Sequence, residues 1–147
     1  YLTMTQPELG DSAGGAQDGF CDVLVVDDHE VNLLLAMRLI QRFGYTVTSV
    51  TSGRAAIDTT IQKRFRLVLM DCQMPDIDGI EATQRIRSRE AAGVVRLPIV
   101  GLSASAADSV RRDCLAAGMD DYLEKPINFA ALKSVLRRWV GDPRIPP

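Results

Sequence analysis

Five polar side chains, each at the end of a short strand-like run, are the residues of this sequence best suited to chemistry. They are Asp27, Asp28, Asp71, Ser103 and Lys125. Three carboxylates brought together repel one another, and a divalent cation relieves that repulsion. Oxygen ligands favour Mg²⁺ or Mn²⁺, and Mg²⁺ uses one or two protein carboxylates while keeping positions for water and phosphate oxygens. The set therefore indicates phosphoryl chemistry at a magnesium site.

Within that set Asp71 is the candidate nucleophile, because a carboxylate can form an aspartyl phosphate. The cation, the Lys125 ammonium and the Ser103 hydroxyl would each hold one equatorial oxygen of the transferring group. Taken singly, such residues are more often helix caps, turn residues or solvated surface groups. The joint pattern favours a site, because independent caps need not fall at strand ends that meet.

Five short strand-like runs, alternating with longer amphipathic segments, supply the elements that would position these residues. The runs are Val23–Val26, Tyr45–Thr51, Leu67–Met70, Ile99–Leu102 and Asp121–Glu124. Strict alternation of strand and helix predicts an α/β fold with a parallel sheet covered by helices on both faces. We expect a doubly wound sheet of five strands in the flavodoxin-like order 2-1-3-4-5, with five helices. Ligands of such sheets bind outside the carboxyl ends of the strands, where the five polar residues fall.

Capping residues and apolar spacing predict where the helices begin and which face they bury. The expected N-caps are Ser52, Asp78 and Ser105. Apolar residues four apart predict that the first helix buries Leu35, Leu39 and Phe43. The same spacing predicts that the second helix buries Ile57 and Ile61.

Composition bounds the class of protein. The 147 residues, 46% of them hydrophobic, suit one globular domain, and the net charge of −2 argues against nucleic-acid binding. No apolar run is long enough to span a bilayer, so we expect no direct membrane contact. The three cysteines lack CxxC spacing, which disfavours a disulfide framework or a zinc site and favours a reducing cytosol.

The two ends of the sequence differ from its interior. Residues 1–19 are rich in Gly, Ala, Asp and Ser without an apolar period, which predicts a flexible linker or tail. We expect the folded domain over residues 20–141 and a C-terminal tail over residues 142–147. A start at Tyr1 rather than Met indicates a segment of a longer protein.

Four segments, in order, resemble the receiver domain of two-component response regulators and hybrid sensor histidine kinases, over residues 21–140. They are VLVVDDH at 23–29, LVLMDCQMPDIDG at 67–79, VGLSA at 100–104 and DYLEKP at 121–126. The resemblance implies that Asp71 is the phospho-acceptor and that Mg²⁺ (or Mn²⁺) is the cofactor. It further implies that Asp28 binds the metal directly, that Asp27 acts through water, and that Gln73 contributes its backbone carbonyl.

The resemblance also assigns the remaining polar positions. Ser103, which stands where Thr is common, is expected to bond a phosphoryl oxygen, and Lys125 to bridge the phosphate and the acids. Tyr122 is expected to swing inward as the Ser103 hydroxyl moves, which makes these two residues a conformational switch. The Lys125–Pro126 bond is expected to be cis. His29 stands where the family varies and is expected to be a surface or capping residue.

Asn32, the run MDCQMPDIDG and the lack of an output domain favour a hybrid kinase over a stand-alone regulator. The implied partners are a histidine kinase or a histidine phosphotransfer domain, with the domain itself a monomer or weak dimer. We expect a cytoplasmic location, including the cytoplasmic part of a membrane-bound kinase. The partner would meet either the first helix, through Val31, Leu34 and Leu35 if they are exposed, or the face of the fourth helix, fifth strand and fifth helix.

Two other functions compete with phospho-acceptance. A phosphohydrolase of the haloacid-dehalogenase type would also use an aspartyl phosphate, but that class carries D-x-D on its first strand, whereas here the two acids are adjacent. A pseudo-receiver that only binds partners would lack some of the acid, hydroxyl and lysine positions, all of which are present. We therefore expect a magnesium-assisted phospho-acceptor rather than a turnover enzyme.

Overall fold

Strands and helices alternate along the chain in a computed structural model, which describes residues 20–90, 95–105 and 107–143. The strands are β1 (Phe20–Val26), β2 (Val47–Val50), β3 (Arg64–Asp71), β4 (Ile99–Ser103) and β5 (Asp121–Glu124). The helices are α1 (Glu30–Arg42), α2 (Gly53–Gln62), α3 (Gly79–Arg89), α4 (Asp108–Ala116) and α5 (Phe129–Trp139). The predicted tail at 1–19 and residues 144–147 of the predicted C-terminal tail lie outside the described residues.

The sheet is parallel throughout and has the strand order β2-β1-β3-β4-β5, which confirms the predicted topology. Register brings the strand ends into line: Val26 pairs with Met70, and Asp71 pairs with Leu102. Asp27 follows Val26 directly, so it emerges beside Asp71 at the same edge. Ser103 pairs with Glu124, the residue before Lys125, so the last two polar positions also reach this edge.

The sheet is buried on both faces, which fixes the strand ends firmly. One face of β1 packs under α2 and α3 through Leu24 and Val26, and the other packs under α1 and α5 through Val23 and Val25. These four residues are fully buried. Strands held in this way carry polar residues at their ends with little freedom to move, because both faces of the strand are close-packed.

Two of the three predicted N-caps are confirmed. The side chains of Ser52 and Asp78 each accept a hydrogen bond from the backbone N–H three residues on, and begin α2 and α3. The predicted cap at Ser105 is wrong, because α4 begins after Ala107. Ser105 Oγ instead accepts from the Ala107 N–H at 3.2 Å, which closes a local turn ahead of the helix.

The predicted inward faces of α1 and α2 are wrong at two residues. α1 buries Leu33, Ala36 and Ile40, whereas Leu35 is exposed. On α2, Ile61 is likewise exposed. Leucines at three consecutive positions, 33 to 35, give α1 two neighbouring apolar rows, so spacing alone does not decide which row faces the sheet. Within the described residues, no helix has the length and apolar character needed to cross a bilayer.

Candidate functional site

Three carboxylates gather where β1 and β3 end. Asp71 is the last residue of β3 and only 3% exposed, and Asp27 is buried beside it. Asp27, Asp28, His29 and Asp71 each place one potential ligand atom within 4.8 Å of the others. The structure therefore brings together all three acids that the sequence singles out.

Lys125, which follows β5, is the cation that the described structure places among these acids. Its Nζ lies 3.2 Å from Asp27 Oδ2 and 3.1 Å from Asp71 Oδ2. Burial by itself lowers the pKa of Lys125, but Asp71 and Asp27 more than offset this and raise that pKa above its usual value. The lysine is therefore an ammonium, and one positive charge faces three carboxylates.

The surroundings of Asp71 disfavour its ionised form. Burial raises the pKa of Asp71, and neither the Gln73 N–H, which donates to its Oδ1 at 3.2 Å, nor Lys125 fully offsets that effect. A carboxyl in this state gains from any further positive charge. A bound divalent cation would supply it.

Two carboxylate oxygens point to where such a cation would sit. Asp28 Oδ1 and Asp71 Oδ2 are buried and have no hydrogen-bond partner among the described residues, although Asp71 Oδ2 keeps its ion-pair contact with Lys125. A buried carboxylate oxygen without a hydrogen bond is costly unless a ligand satisfies it. The all-oxygen set of Asp28 and Asp71 fits the preference of Mg²⁺.

The loop after Asp71 depends on a glycine. The Gly79 N–H donates to the Cys72 carbonyl at 3.2 Å, which folds the loop back onto the strand end. A Cβ at Gly79 would stand 2.1 Å from the Asp71 backbone oxygen, so no larger residue fits there without movement. Gln73 is exposed on this loop, and the contribution of its carbonyl to a metal remains a prediction.

Ser103 and Tyr122 meet at one residue of the loop after β4. Ser103 is buried and its Oγ accepts from the Ser105 N–H at 3.2 Å, while the Tyr122 hydroxyl donates to the Ser105 carbonyl. The Lys125 N–H donates to the Ser103 carbonyl at 2.7 Å, and the Lys125–Pro126 bond is cis. The hydroxyl, the aromatic ring and the lysine are therefore linked through a few hydrogen bonds.

The neighbouring thiols take no part in this polar site. Cys72 follows Asp71 directly, but it is buried with its Sγ 3.1 Å from Cys114 Sγ. Burial and the contact with Cys114 raise the pKa of Cys72. A buried, protonated thiol is a poor nucleophile and a poor metal ligand, so Cys72 is not a candidate for the reactive group of this loop.

His29 is exposed, as the sequence predicted, but its contact with the acids was not predicted. It occupies the N-cap position of α1, yet its side chain makes no capping hydrogen bond and lies instead against the acids. The available signal was its place directly after Asp27 and Asp28. That signal is weak, because a residue after a strand end turns toward or away from the site according to the local backbone.

Comparison with known proteins agrees with this architecture. The family model for the response regulator receiver domain matches residues 23–137. The sensor protein GacS of Pseudomonas syringae pv. syringae is 47% identical over 120 residues, which are 81% of this chain and 13% of that protein. The virulence sensor protein BvgS of Bordetella pertussis is 42% identical over 127 residues, covering 84% of this chain and 10% of that protein. The chain thus matches a small part of these longer relatives.

Solved structures with the same fold include one with a bound magnesium ion and one in complex with a phosphotransfer protein. The receiver domain of the sensor histidine kinase PA1611 from Pseudomonas aeruginosa, with magnesium coordinated in its active site cleft, has a TM-score of 0.74 and 38% identity, covering 83% of this chain and 98% of that one. The receiver domain of Saccharomyces cerevisiae Ssk1 in complex with the phosphotransfer protein Ypd1 has a TM-score of 0.74 and 28% identity, covering 82% and 88%.

Proposed function

This chain belongs to the response regulator receiver domain family of two-component signalling, and from that membership we propose that Asp71 accepts a phosphoryl group from a phosphohistidine in the presence of Mg²⁺ or Mn²⁺. One observation carries the proposal. Asp71 is buried between Lys125 and the acid pair, and its Oδ2 has the Lys125 ammonium at 3.1 Å as its one close polar contact among the described residues. A carboxylate placed in this way can act as a nucleophile while the ammonium binds an oxygen of the incoming group.

The proposed transfer forms one bond to phosphorus and breaks one. A carboxylate oxygen of Asp71 forms a bond to phosphorus as the P–N bond of the phosphohistidine breaks, and the bonding pair returns to the imidazole nitrogen. Lys125, 3.1 Å from Asp71 Oδ2, is within reach of an oxygen on the incoming group. The bound cation neutralises charge on the phosphoryl oxygens.

We assign the cation to the carboxylates of Asp28 and Asp71, the backbone carbonyl of Gln73 and, through water, Asp27. The buried oxygens of Asp28 and Asp71 without hydrogen bonds support this set. The magnesium ion in the related PA1611 receiver domain supports the choice of metal.

Phosphorylation would be transmitted through Ser103 and Tyr122. A phosphoryl oxygen on Asp71 would draw the Ser103 hydroxyl away from the Ser105 N–H that it now accepts from. Tyr122 is anchored to the carbonyl of the same Ser105, so a shift of this loop changes the position of the ring. The switch therefore links charge at the site to the surface near α4 and β5.

The partner surface that we propose is the exposed apolar row of α1 beside the site. Val31, Leu34 and Leu35 are 80%, 52% and 51% exposed and lie within two helical turns of His29. Exposed apolar residues so close to a reactive group favour docking of the phosphoryl donor. We propose that this donor is a histidine phosphotransfer domain within a hybrid-kinase phosphorelay, a choice that the Ypd1–Ssk1 complex and the kinase relatives support.

Incubation with acetyl phosphate and Mg²⁺ tests the phospho-acceptor. We expect one hydroxylamine-labile phosphoryl group, mapped to Asp71 by borohydride reduction and mass spectrometry, and none in Asp71→Asn. Asp58→Asn, which removes an exposed acid on α2, is the matched control and should incorporate phosphate normally. No incorporation in the wild type would favour a pseudo-receiver, whereas continuous phosphate release from unrelated esters would favour a phosphohydrolase.

Transfer from a purified, phosphorylated histidine phosphotransfer protein tests the docking surface. Leu34→Arg should slow this transfer while leaving acetyl phosphate labelling intact, because the small donor needs no docking surface. Ile61→Arg alters an equally exposed apolar residue on α2 and should leave both reactions unchanged. Equal effects of the two substitutions would contradict docking on α1.

A further inference from the structure

The imidazole of His29 lies against the acidic cluster rather than capping the helix that it precedes. Its Nδ1 is 3.2 Å from Asp28 Oδ1 and 3.5 Å from Asp27 Oδ1. One potential ligand atom of His29 lies within 4.8 Å of carboxylate oxygens of Asp27, Asp28 and Asp71. The ring therefore adds a nitrogen donor to a group otherwise made of oxygens.

The separation of His29 Nδ1 from Asp28 Oδ1 is that of two neighbouring ligands on one ion, and the other ligand atoms lie within 4.8 Å. Two ligands at right angles on an octahedral ion with bonds of about 2.1 Å lie about 3.0 Å apart, and opposite ligands about 4.2 Å apart. The 3.2 Å between His29 Nδ1 and Asp28 Oδ1 is close to the first value. Asp28 Oδ1 has no hydrogen-bond partner among the described residues, so the contact with the ring does not already satisfy this oxygen.

Exposure gives the ring the freedom to complete such an arrangement. The His29 side chain is 68% exposed, whereas Asp71 is almost fully buried at the end of a central strand. Rotation of the imidazole therefore costs little packing, and the carboxylates provide the fixed part of the site. The acids also outnumber the single ammonium of Lys125, which leaves negative charge for a divalent ion to balance.

A mixed nitrogen and oxygen set selects metals differently from an oxygen set. Imidazole suits transition ions such as Ni²⁺ and Zn²⁺, whereas Mg²⁺ is bound through carboxylate, carbonyl and water oxygens. We propose that His29 is a direct ligand when this site holds a first-row transition ion, and that it raises the preference of the site for such ions over Mg²⁺. This inference rests on the proposed metal site of Asp28 and Asp71.

The sequence makes a direct test unambiguous, because His29 is its single histidine. The experiment uses the full chain without a histidine tag, labelled with ¹⁵N-histidine and loaded with Mn²⁺. Pulsed electron paramagnetic resonance should show a ¹⁵N coupling of a directly bonded nitrogen. The coupling should vanish in His29→Gln and on displacement of Mn²⁺ by excess Mg²⁺.

Calorimetric titration with Ni²⁺ and with Mg²⁺ measures the preference itself. His29→Gln should lower Ni²⁺ affinity about tenfold or more, at least the loss seen when a supporting residue of a metal site is removed. Mg²⁺ affinity should change less than about twofold, since oxygens supply its ligands. Asp28→Asn is the matched comparison and should weaken the binding of both ions.

Different results would contradict metal binding by His29 and the metal site of Asp28 and Asp71. Competitive binding of Mn²⁺ and Mg²⁺ with no ¹⁵N coupling, or an equal loss of Ni²⁺ and Mg²⁺ affinity in His29→Gln, would overturn the role of His29 and leave the phospho-acceptor intact. Failure of Asp28→Asn to weaken either ion would instead remove the proposed metal site.

Discussion

Two clusters of charged side chains occupy this small domain, and they differ in how completely their atoms are paired. The acidic rim consists of Asp27, Asp28, Asp71 and Lys125, and the arginine clasp consists of Arg87, Glu90, Arg96 and Asp120. The clasp holds two positive and two negative groups, whereas the rim sets one ammonium against three carboxylates. Charge is balanced in one cluster and unbalanced in the other.

Hydrogen bonding follows the same division. Arg87 donates to Glu90, to Asp120 and to the carbonyls of Leu97 and Gly118, at distances of 2.7 to 2.8 Å. Asp120 uses both carboxylate oxygens, accepting from Arg96 as well. The rim instead leaves two carboxylate oxygens without hydrogen bonds. A saturated cluster ties α3 to the loops beside β4 and has no capacity for a ligand, whereas the unsaturated rim does.

Removal of the Arg87 guanidinium from the arginine clasp should have the largest effect, a loss of folding stability. Arg87→Met should lower the free energy of unfolding by about 3 kcal/mol, because it removes four hydrogen bonds and leaves the partly buried carboxylate of Glu90 without its cation. Urea denaturation of the metal-free domain measures this value. Acetyl phosphate labelling of the folded protein should persist, and its loss would mean that the clasp also supports the site.

Magnesium should stabilise the domain through the rim alone. A concentration of 100 times the dissociation constant should add about 2.7 kcal/mol to the free energy of unfolding. Arg87→Met should keep this increment and Asp28→Asn should lose it, as measured by urea denaturation with and without Mg²⁺. An increment that survives in Asp28→Asn would place the ion elsewhere.

Neutralising Asp71 should raise the free energy of unfolding, whereas removing the Arg87 guanidinium from the arginine clasp should lower it. Without metal at neutral pH, Asp71→Asn should raise the free energy of unfolding, because it removes one of three mutually repelling carboxylates while Asp27 keeps Lys125 paired at 3.2 Å. Burial also disfavours the ionised carboxyl, as its raised pKa indicates. Thermal denaturation in a chelator compares the two proteins, and a less stable Asp71→Asn would show that Lys125 outweighs the repulsion.

The smallest predicted effect is a change in the free energy of unfolding with pH that comes from the Asp71 carboxyl. Because the pKa of Asp71 is raised above its ordinary 3.8 in the folded state, folding favours the protonated acid. Its contribution to stability is fully present below pH 3.8 and is lost as pH rises through the raised value. The metal-free wild type should therefore gain stability relative to Asp71→Asn as pH falls through this window, and a constant difference would contradict the shift.

The parallel sheet was predictable because strand and helix alternate along the sequence, whereas the strand order was expected from the size of the sheet and the frequency of this fold, not from local patterns. Buried apolar runs ended in Asp27 and Asp71, and alternation with helices placed those ends at one edge. Helix faces were less predictable. Leu35 and Ile61 had the right spacing for burial, yet docking of each helix on the sheet selected a neighbouring row.

The sequence by itself determined which chemistry this domain carries, since residue type and position at strand ends are written in the chain. Only the tertiary structure decided which polar atoms lack hydrogen bonds: it gave Arg87 four partners and left one oxygen each of Asp28 and Asp71 without a hydrogen-bond partner among the described residues. It also turned His29 toward the acids. Pairing depends on distances of a few ångströms between residues far apart in the chain, and those distances are fixed only when helices and sheet pack together.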